Sequence, residues 1–248
     1  MTRLAEAVLD VLLPDRCLGC GCPHTQLCPD CRARLEAAQP FRARPAHAPP
    51  GLPETYAAAG YEGPVRQALL AHKERGALGL ARPLGTALAR AVCTAVPVGV
   101  ASRGAPLLLV PMPSTRAATR ARGHDPTRRL ARRAAAVLRT GGVPARALPA
   151  LAHRRRVADQ AGLGAAGRLE NLRGALGTAP RWERPLATGR VVLVDDLVTT
   201  GASLAEAARG LGAAGADVLA AAVVAAAPDR PKAARSPAGG AGRPGQPG

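Results

Sequence analysis

The chain has 248 residues, a formal net charge of +17, and one Phe, one Trp and two Tyr. That length accommodates one large domain or a core plus a small module, and so few aromatic rings supply a base-stacking platform for single strands poorly. No run reaches a membrane span, and Met1 to Leu13 carries Glu6 and Asp10 without a cleavage-type end, so no membrane insertion and a cytoplasmic location are expected.

Residues 1–16 read as a short amphipathic helix with Leu4, Val8, and Val11 or Leu12 on one side. The run Cys17 to Cys31, C-L-G-C-G-C-P-H-T-Q-L-C-P-D-C, holds two Cys-x-x-Cys knuckles, Cys17/Cys20 and Cys28/Cys31. Four thiolates on two tight turns predict a tetrahedral structural Zn²⁺ site, with Cys22 and His24 as rival ligands and a redox pair or disulfides as the other use. Residues 39–53, with five prolines, read as a linker. A strand is expected over Tyr56 to Tyr61, then a helix opened by Glu62-Gly63-Pro64, carrying Val65, Leu69 and Leu70 and ending at His72 to Gly76. Lys73 at that helix end is either a solvated charge or a ligand contact. The next helix keeps Leu80, Leu84, Leu88 and Val92 in register, with Cys93 expected in the core.

Pro106 to Val110 is a continuous apolar run of the buried parallel-strand type. It leads into a loop, Pro111 to Asp125, in which Arg116, Arg120 and Arg122 with Gly123 make a candidate pyrophosphate site, since guanidinium forks match phosphate oxygens. Asp125 and Pro126 start a helix expected to bury Leu130, Ala134 and Val137 and to expose Arg128, Arg129, Arg132 and Arg133. Between Arg103 and Arg139 nine arginines face one acid, Asp125, so the charge surplus is local and favours a specific anionic ligand. Residues 151–176 start as a possible extension of a strand near Ala147 to Leu151 and then become rich in Gly and Ala, as a lid over a substrate would be.

The organising stretch is Arg190 to Leu204, R-V-V-L-V-D-D-L-V-T-T-G-A-S-L. Val191 to Val194 predict a buried strand ending in Asp195 and Asp196, followed by the turn Thr199 to Ser203 and an alanine-rich helix with Leu204, Ala208 and Leu211 on one face. Backbone N–H groups and hydroxyls of Thr199, Thr200 and Ser203 at a helix N-terminus form a nest for a phosphate monoester, and Gly201 permits close approach. Two carboxylates beside the nest accept from a diol, so the stretch asks for a sugar phosphate. Neither G-x-x-x-x-G-K-[ST] nor G-x-G-x-x-G is present, which argues against a nucleoside triphosphatase or a dinucleotide enzyme. Gly215 stops the helix, Asp217 to Ala226 is a further apolar strand, and residues 228–248 have the Pro/Gly/Ala/Arg composition of a disordered tail.

V-V-L-V-D-D-L-V-T-T-G-A-S resembles the phosphoribosyl pyrophosphate signature of type I phosphoribosyltransferases. With the double Cys-x-x-Cys, P-M-P-S…R-G-H-D and D-Q-A-G-L…R-L-E-N-L-R-G-A-L, the combination resembles the ComF family and its GntX-like members. The resemblance implies a doubly wound, mostly parallel α/β sheet, with a helix and zinc module at 1–38, the linker at 39–53, a phosphoribosyltransferase-like domain at 54–227 and the tail at 228–248. It implies that Asp195 and Asp196 carry the ribose hydroxyls and the catalytic role, and that Thr199, Thr200, Gly201 and Ser203 hold the 5-phosphate. Arg122 and Gly123 match the family's Arg-Gly, and Gln160, Arg168 and Asn171 its middle segment; His124-Asp125-Pro126 and Leu176 depart from it. Mg²⁺ with phosphoribosyl pyrophosphate, a nitrogen acceptor, and single-stranded DNA or competence proteins are the implied cofactor and partners.

Overall fold

The uncharged Val/Leu/Ala runs form strands that must be covered on both faces, and a central sheet built from them organises the molecule. The computed structural model describes residues 16–23, 25–97, 99, 105–155 and 171–228. The expected N-terminal helix, His24, Gln160, Arg168, the middle of the predicted lid and the tail beyond Pro228 lie outside the described residues.

In chain order the elements are α1 (Pro29–Ala37), β1 (Phe41–Ala43), β2 (Thr55–Gly60), α2 (Gly63–Glu74), α3 (Ala81–Ala95), β3 (Leu107–Pro111), α4 (Arg116–Arg122), α5 (Pro126–Thr140), β4 (Ala145–Ala147), β5 (Leu151–His153), β6 (Leu176–Thr178), α6 (Glu183–Thr188), β7 (Arg190–Val198), α7 (Ala202–Gly212) and β8 (Asp217–Ala226). The six-stranded sheet runs β1-β2-β8-β7-β3-β4, and every pair is parallel except β1 with β2. β5 and β6 form a separate antiparallel pair. This is the mixed, mostly parallel α/β architecture expected.

Helices α2, α3 and α5 cover one face, where Leu69, Leu84, Leu88, Leu130 and Leu138 bury against Val192 and Val194. On the other face α6, α7 and the β5–β6 pair bury Leu186, Leu204, Leu211 and Leu176 against Val191 and Leu193. The alternation along β7 therefore reads directly into two layers.

Several local expectations change. Phe41–Ala43 lies within the proline-rich stretch and adds an antiparallel edge strand, because Arg42 and its neighbours find ladder partners on β2. β7 does not end at Val194: it continues through both aspartates to Val198, since β8 supplies partners as far as Ala226. Cys93 is exposed, not in the core; it follows Val92 by one helical step and so leaves the buried stripe. On α5 the buried stripe is Leu130, Ala134 and Leu138, while Val137 is 37% exposed. Part of the Arg-containing loop is itself helical: the Thr115 hydroxyl caps α4 by accepting from Ala118 N–H at 3.1 Å. Leu151 starts β5 in the separate pair and does not extend β4.

Candidate active site

β7 delivers the two aspartates to the carboxyl end of the sheet, where parallel α/β folds bind ligands. Strand alternation sends them to opposite sides. Asp195 lines a small cavity of about 80 Å³ with Thr199, Thr200, Gly201 and Ser203. Asp196 is buried and turns to the α2 side, where Lys73 Nζ lies 2.8 Å from its Oδ2. The backbone N–H of Asp196 donates to Asp195 Oδ1 at 2.8 Å.

The turn is built for close approach. Gly201 has φ +78°, a left-handed conformation that strains any other residue, and a Cβ there would also push on the Leu52 side chain, 2.7 Å from its Cδ2. As the N-cap of α7 it supplies no side-chain cap; Ala202 N–H points to Thr200 Oγ1 at 3.4 Å. The positive end of an eleven-residue helix thus faces the cavity that Asp195 closes from the other side.

Electrostatics separate the two carboxylates. Desolvation first, then the Asp196 charge and hydrogen bond, hold the Asp195 carboxyl well above the usual carboxylate range, against the pull of Lys73. For Lys73 desolvation pulls downward, but the charge and hydrogen bond of Asp196 outweigh it and raise the ammonium above its ordinary value. Lys73 is thus not a free solvated charge: its contact is an ion pair with Asp196.

Its neighbours on the last turn of α2 contact the arginine segment. Arg122 makes a bidentate pair with Glu74, Nε to Oε2 at 3.0 Å and Nη2 to Oε1 at 2.9 Å. His124 lies between two carbonyls, Nδ1 3.0 Å from Arg122 O and Nε2 3.2 Å from His72 O. His72, Lys73 and Glu74 therefore tie the arginine segment to the aspartates. Arg116 and Arg120 are exposed on α4. Ser114 Oγ donates to Asp125 Oδ1 at 3.3 Å, and the same oxygen accepts from Arg128 N–H, capping α5. Sequence reasoning missed Glu74; the only signal was its place one residue after Lys73 on a helix end.

Lys73→Met tests the ion pair. With Lys73 partly exposed, the bond is worth about 1 kcal/mol after solvent screening, and urea denaturation at pH 7 should show a loss of that size. Because the folded-state pKa of Lys73 is raised, its contribution is complete below the ordinary lysine value near 10.5 and is lost as pH rises through the folded value. Wild type and variant should converge in strong alkali; a constant gap across that range would refute the assignment.

The β5–β6 pair is anchored through both of its strands at the end where His153 faces Leu176. His153 Nε2 lies 3.1 Å from Pro113 O in the segment after β3. On the other side buried Glu206 of α7 accepts from Leu176 N–H at 3.1 Å and from Arg209 Nε and Nη2 at 2.8 Å each. Gly210 allows this contact, since a Cβ there would stand 2.9 Å from Leu176 O. Asn171 sits just before β6, and its carbonyl accepts from Arg155 Nη2 at 2.8 Å.

A second centre lies at the N-terminal end of the described chain. The Sγ atoms of Cys17, Cys20, Cys28 and Cys31 all lie within 4.8 Å of one another, with Cys20 and Cys28 at 3.6 Å. Tetrahedral zinc thiolate at about 2.3 Å per bond requires sulfurs roughly 3.8 Å apart. Backbone N–H groups aim at the sulfurs, Cys28 and Gly19 at Cys17 and Cys31 at Cys28, at 3.3–3.4 Å. Burial pushes the Cys17 thiol up, but these donors prevail and bring it down to about 6, whereas burial and the neighbouring thiols push the Cys31 thiol up, so the fit to a metal rests on the geometry. The donor set therefore fits zinc, and Cys22 stands outside the group.

Residues 135–239 match the family model for the phosphoribosyl transferase domain. The matched span contains both aspartates, the turn and α7, and the mostly parallel sheet around them is consistent with the fold of that domain. A search of curated proteins finds no match. No helix among the described residues is long and apolar enough to cross a membrane.

Proposed function

We propose that this chain is a cytoplasmic protein of the ComF type that binds phosphoribosyl pyrophosphate and transfers the 5-phosphoribosyl group to a nitrogen acceptor. The observation that carries the reading is the cavity between Asp195 and the Thr199–Ser203 turn, with a helix N-terminus on one side and a carboxylate on the other. The 5-phosphate takes the turn, where N–H groups and hydroxyls donate, and the ribose hydroxyls donate to Asp195, with Asp196 beside it. Arg116, Arg120 and Arg122 receive the pyrophosphate, Arg122 leaving Glu74 to do so. Asp195 and Asp196 would stand beside a magnesium ion brought with the ligand, which when bound would supply charge neutralisation for the leaving group.

The acceptor nitrogen's lone pair forms the new C–N bond at the anomeric carbon as the C–O bond to pyrophosphate breaks. That bond's electron pair leaves with pyrophosphate, and an acceptor N–H proton passes to solvent. The ring charge that develops is met by preorganised groups, so no covalent nucleophile is needed. Gln160, Arg168 and Asn171 belong to the segment that excludes water, whose attack is the competing reaction.

A second reading, DNA binding, draws on the exposed arginines Arg128, Arg132, Arg133 and Arg139 of α5. One experiment separates the two. Magnesium phosphoribosyl pyrophosphate titrated into the wild type should give saturable heat that inorganic pyrophosphate competes away. In a variant lacking Arg116, Arg120 and Arg122 that competition should vanish. A wild type silent at millimolar ligand, with DNA affinity falling steeply with salt, would replace the transferase reading by the DNA one.

A further inference from the structure

One guanidinium of the segment after β3 already has its donors taken by an acid. Glu74 accepts from Arg122 Nε at 3.0 Å and from Nη2 at 2.9 Å, so a single carboxylate fills the fork that two phosphate oxygens would fill. Arg116 and Arg120, exposed on α4, take part in no ion pair among the described residues.

Neither helix accounts for the pair. Glu74 is the last residue of α2, where the helix end carries partial negative charge and favours cations such as Lys73, not a carboxylate. Arg122 closes α4, where a cation is favoured without any partner. Fastening is supplied by another contact: the His124 ring nitrogens lie 3.0 Å from Arg122 O and 3.2 Å from His72 O, which joins the two segments through their backbones. With the Arg122 and Glu74 side chains 23% and 47% exposed, the ion pair faces water and opens at small cost. The neighbouring residue, Lys73, holds Asp196, and the Arg122 charge opposes that of Lys73, so the two pairs share one electrostatic neighbourhood.

We propose that Glu74 is an internal competitor for pyrophosphate: its carboxylate occupies the Arg122 fork when no ligand is bound, is displaced by an arriving diphosphate, and takes the fork back as pyrophosphate leaves. This rests on the phosphoribosyl reading, which puts the diphosphate at Arg122. An arginine closed by its own carboxylate binds any competing anion more weakly, by the fraction of time it stands open. The chain therefore holds both substrate and product less tightly, and what it gains is release of pyrophosphate, a step that limits turnover in many enzymes.

Calorimetric titrations of inorganic pyrophosphate and of ribose 5-phosphate into the full chain test it. Glu74→Gln should bind pyrophosphate about two- to fivefold more tightly than the wild type, the range an exposed ion pair spans. Ribose 5-phosphate, which needs only the turn, should bind both proteins equally. In an Arg122→Gln background the same substitution should change neither affinity, because the double-mutant cycle separates the pair from a general charge effect. The gain should also shrink as salt is raised to ~1 M, where screening opens the pair in the wild type as well. Glutamine keeps the side-chain shape at an exposed helix end, so folding is not at stake. If Glu74→Gln binds pyrophosphate no more tightly, or more weakly, Glu74 merely fastens α4 and the proposal is overturned. A gain that persists without Arg122 overturns it as a long-range charge effect. Ribose 5-phosphate bound without pyrophosphate, in both proteins, overturns the competitor role and leaves the turn's role intact. Neither ligand bound at millimolar concentration overturns the phosphoribosyl reading as well.

Discussion

The double variant Asp195→Asn/Asp196→Asn should lose at least about 100-fold in affinity for magnesium phosphoribosyl pyrophosphate. Each carboxylate is proposed to accept a charge-assisted hydrogen bond worth about 1.5–3 kcal/mol. Two such bonds sum to about 3 kcal/mol or more, and 1.4 kcal/mol is a factor of ten. The single variants should differ in stability, which keeps lost binding distinct from lost folding. Asp196 is buried against Lys73, so Asp196→Asn leaves an ammonium without its charge partner and should destabilise. Asp195→Asn should do the reverse at neutral pH. The folded-state pKa of Asp195 is raised, so its contribution to stability is complete below the ordinary carboxyl value and is lost as pH rises through the folded value. A neutral amide removes that penalty. Asp195→Asn should therefore melt higher than the wild type at pH 7 while binding ligand poorly, as expected of a site that holds strain for function. Calorimetry and thermal melts on the same samples decide the matter; wild-type affinity in the double variant would sink the ribose assignment.

Much of this was legible in the sequence because β-strand period and turn chemistry are local. Val191 to Val194 announce a strand, Gly201 a turn, Asp125-Pro126 a helix start, and each stands where expected. What escaped depends on partners distant in the chain. The extension of β7 through Asp195 and Asp196 needs β8, and the edge strand at Phe41 needs β2. Lys73 and Glu74 come from a helix end more than a hundred and nearly fifty residues from Asp196 and Arg122, respectively, and no spacing rule relates them. The thiol cluster was legible for the opposite reason: metal ligands in knuckles are set by short spacing, and the four sulfurs gather within 4.8 Å of one another.

If zinc occupies the four-cysteine cluster, removing it should unfold the part of the molecule resting on it. α1 has almost no apolar face; only Cys31 and Leu35 are buried, one turn apart. Yet Cys17, Cys28, Cys31 and Leu35 join the same buried cluster as Leu69, Leu84 and Leu88, and Arg90 of α3 donates to the Glu36 carbonyl near the end of α1. The knuckles and the helical face of the sheet thus share one core, so the loss will not stay local. Structural zinc contributes about 10–16 kcal/mol of apparent binding free energy in finger peptides, and if only about 4 kcal/mol of it is coupled to this core, the melting temperature falls by roughly 8–16 °C. We therefore expect one equivalent of zinc by elemental analysis of the purified chain, lost in Cys28→Ser and Cys31→Ser, with that fall in melting temperature in both variants and in the chelated wild type. Stability in the chelated protein equal to that of the untreated one would mean that thiol packing alone holds α1 on α3. In that outcome the four sulfurs are not a structural metal site, and their short separations point to disulfide exchange.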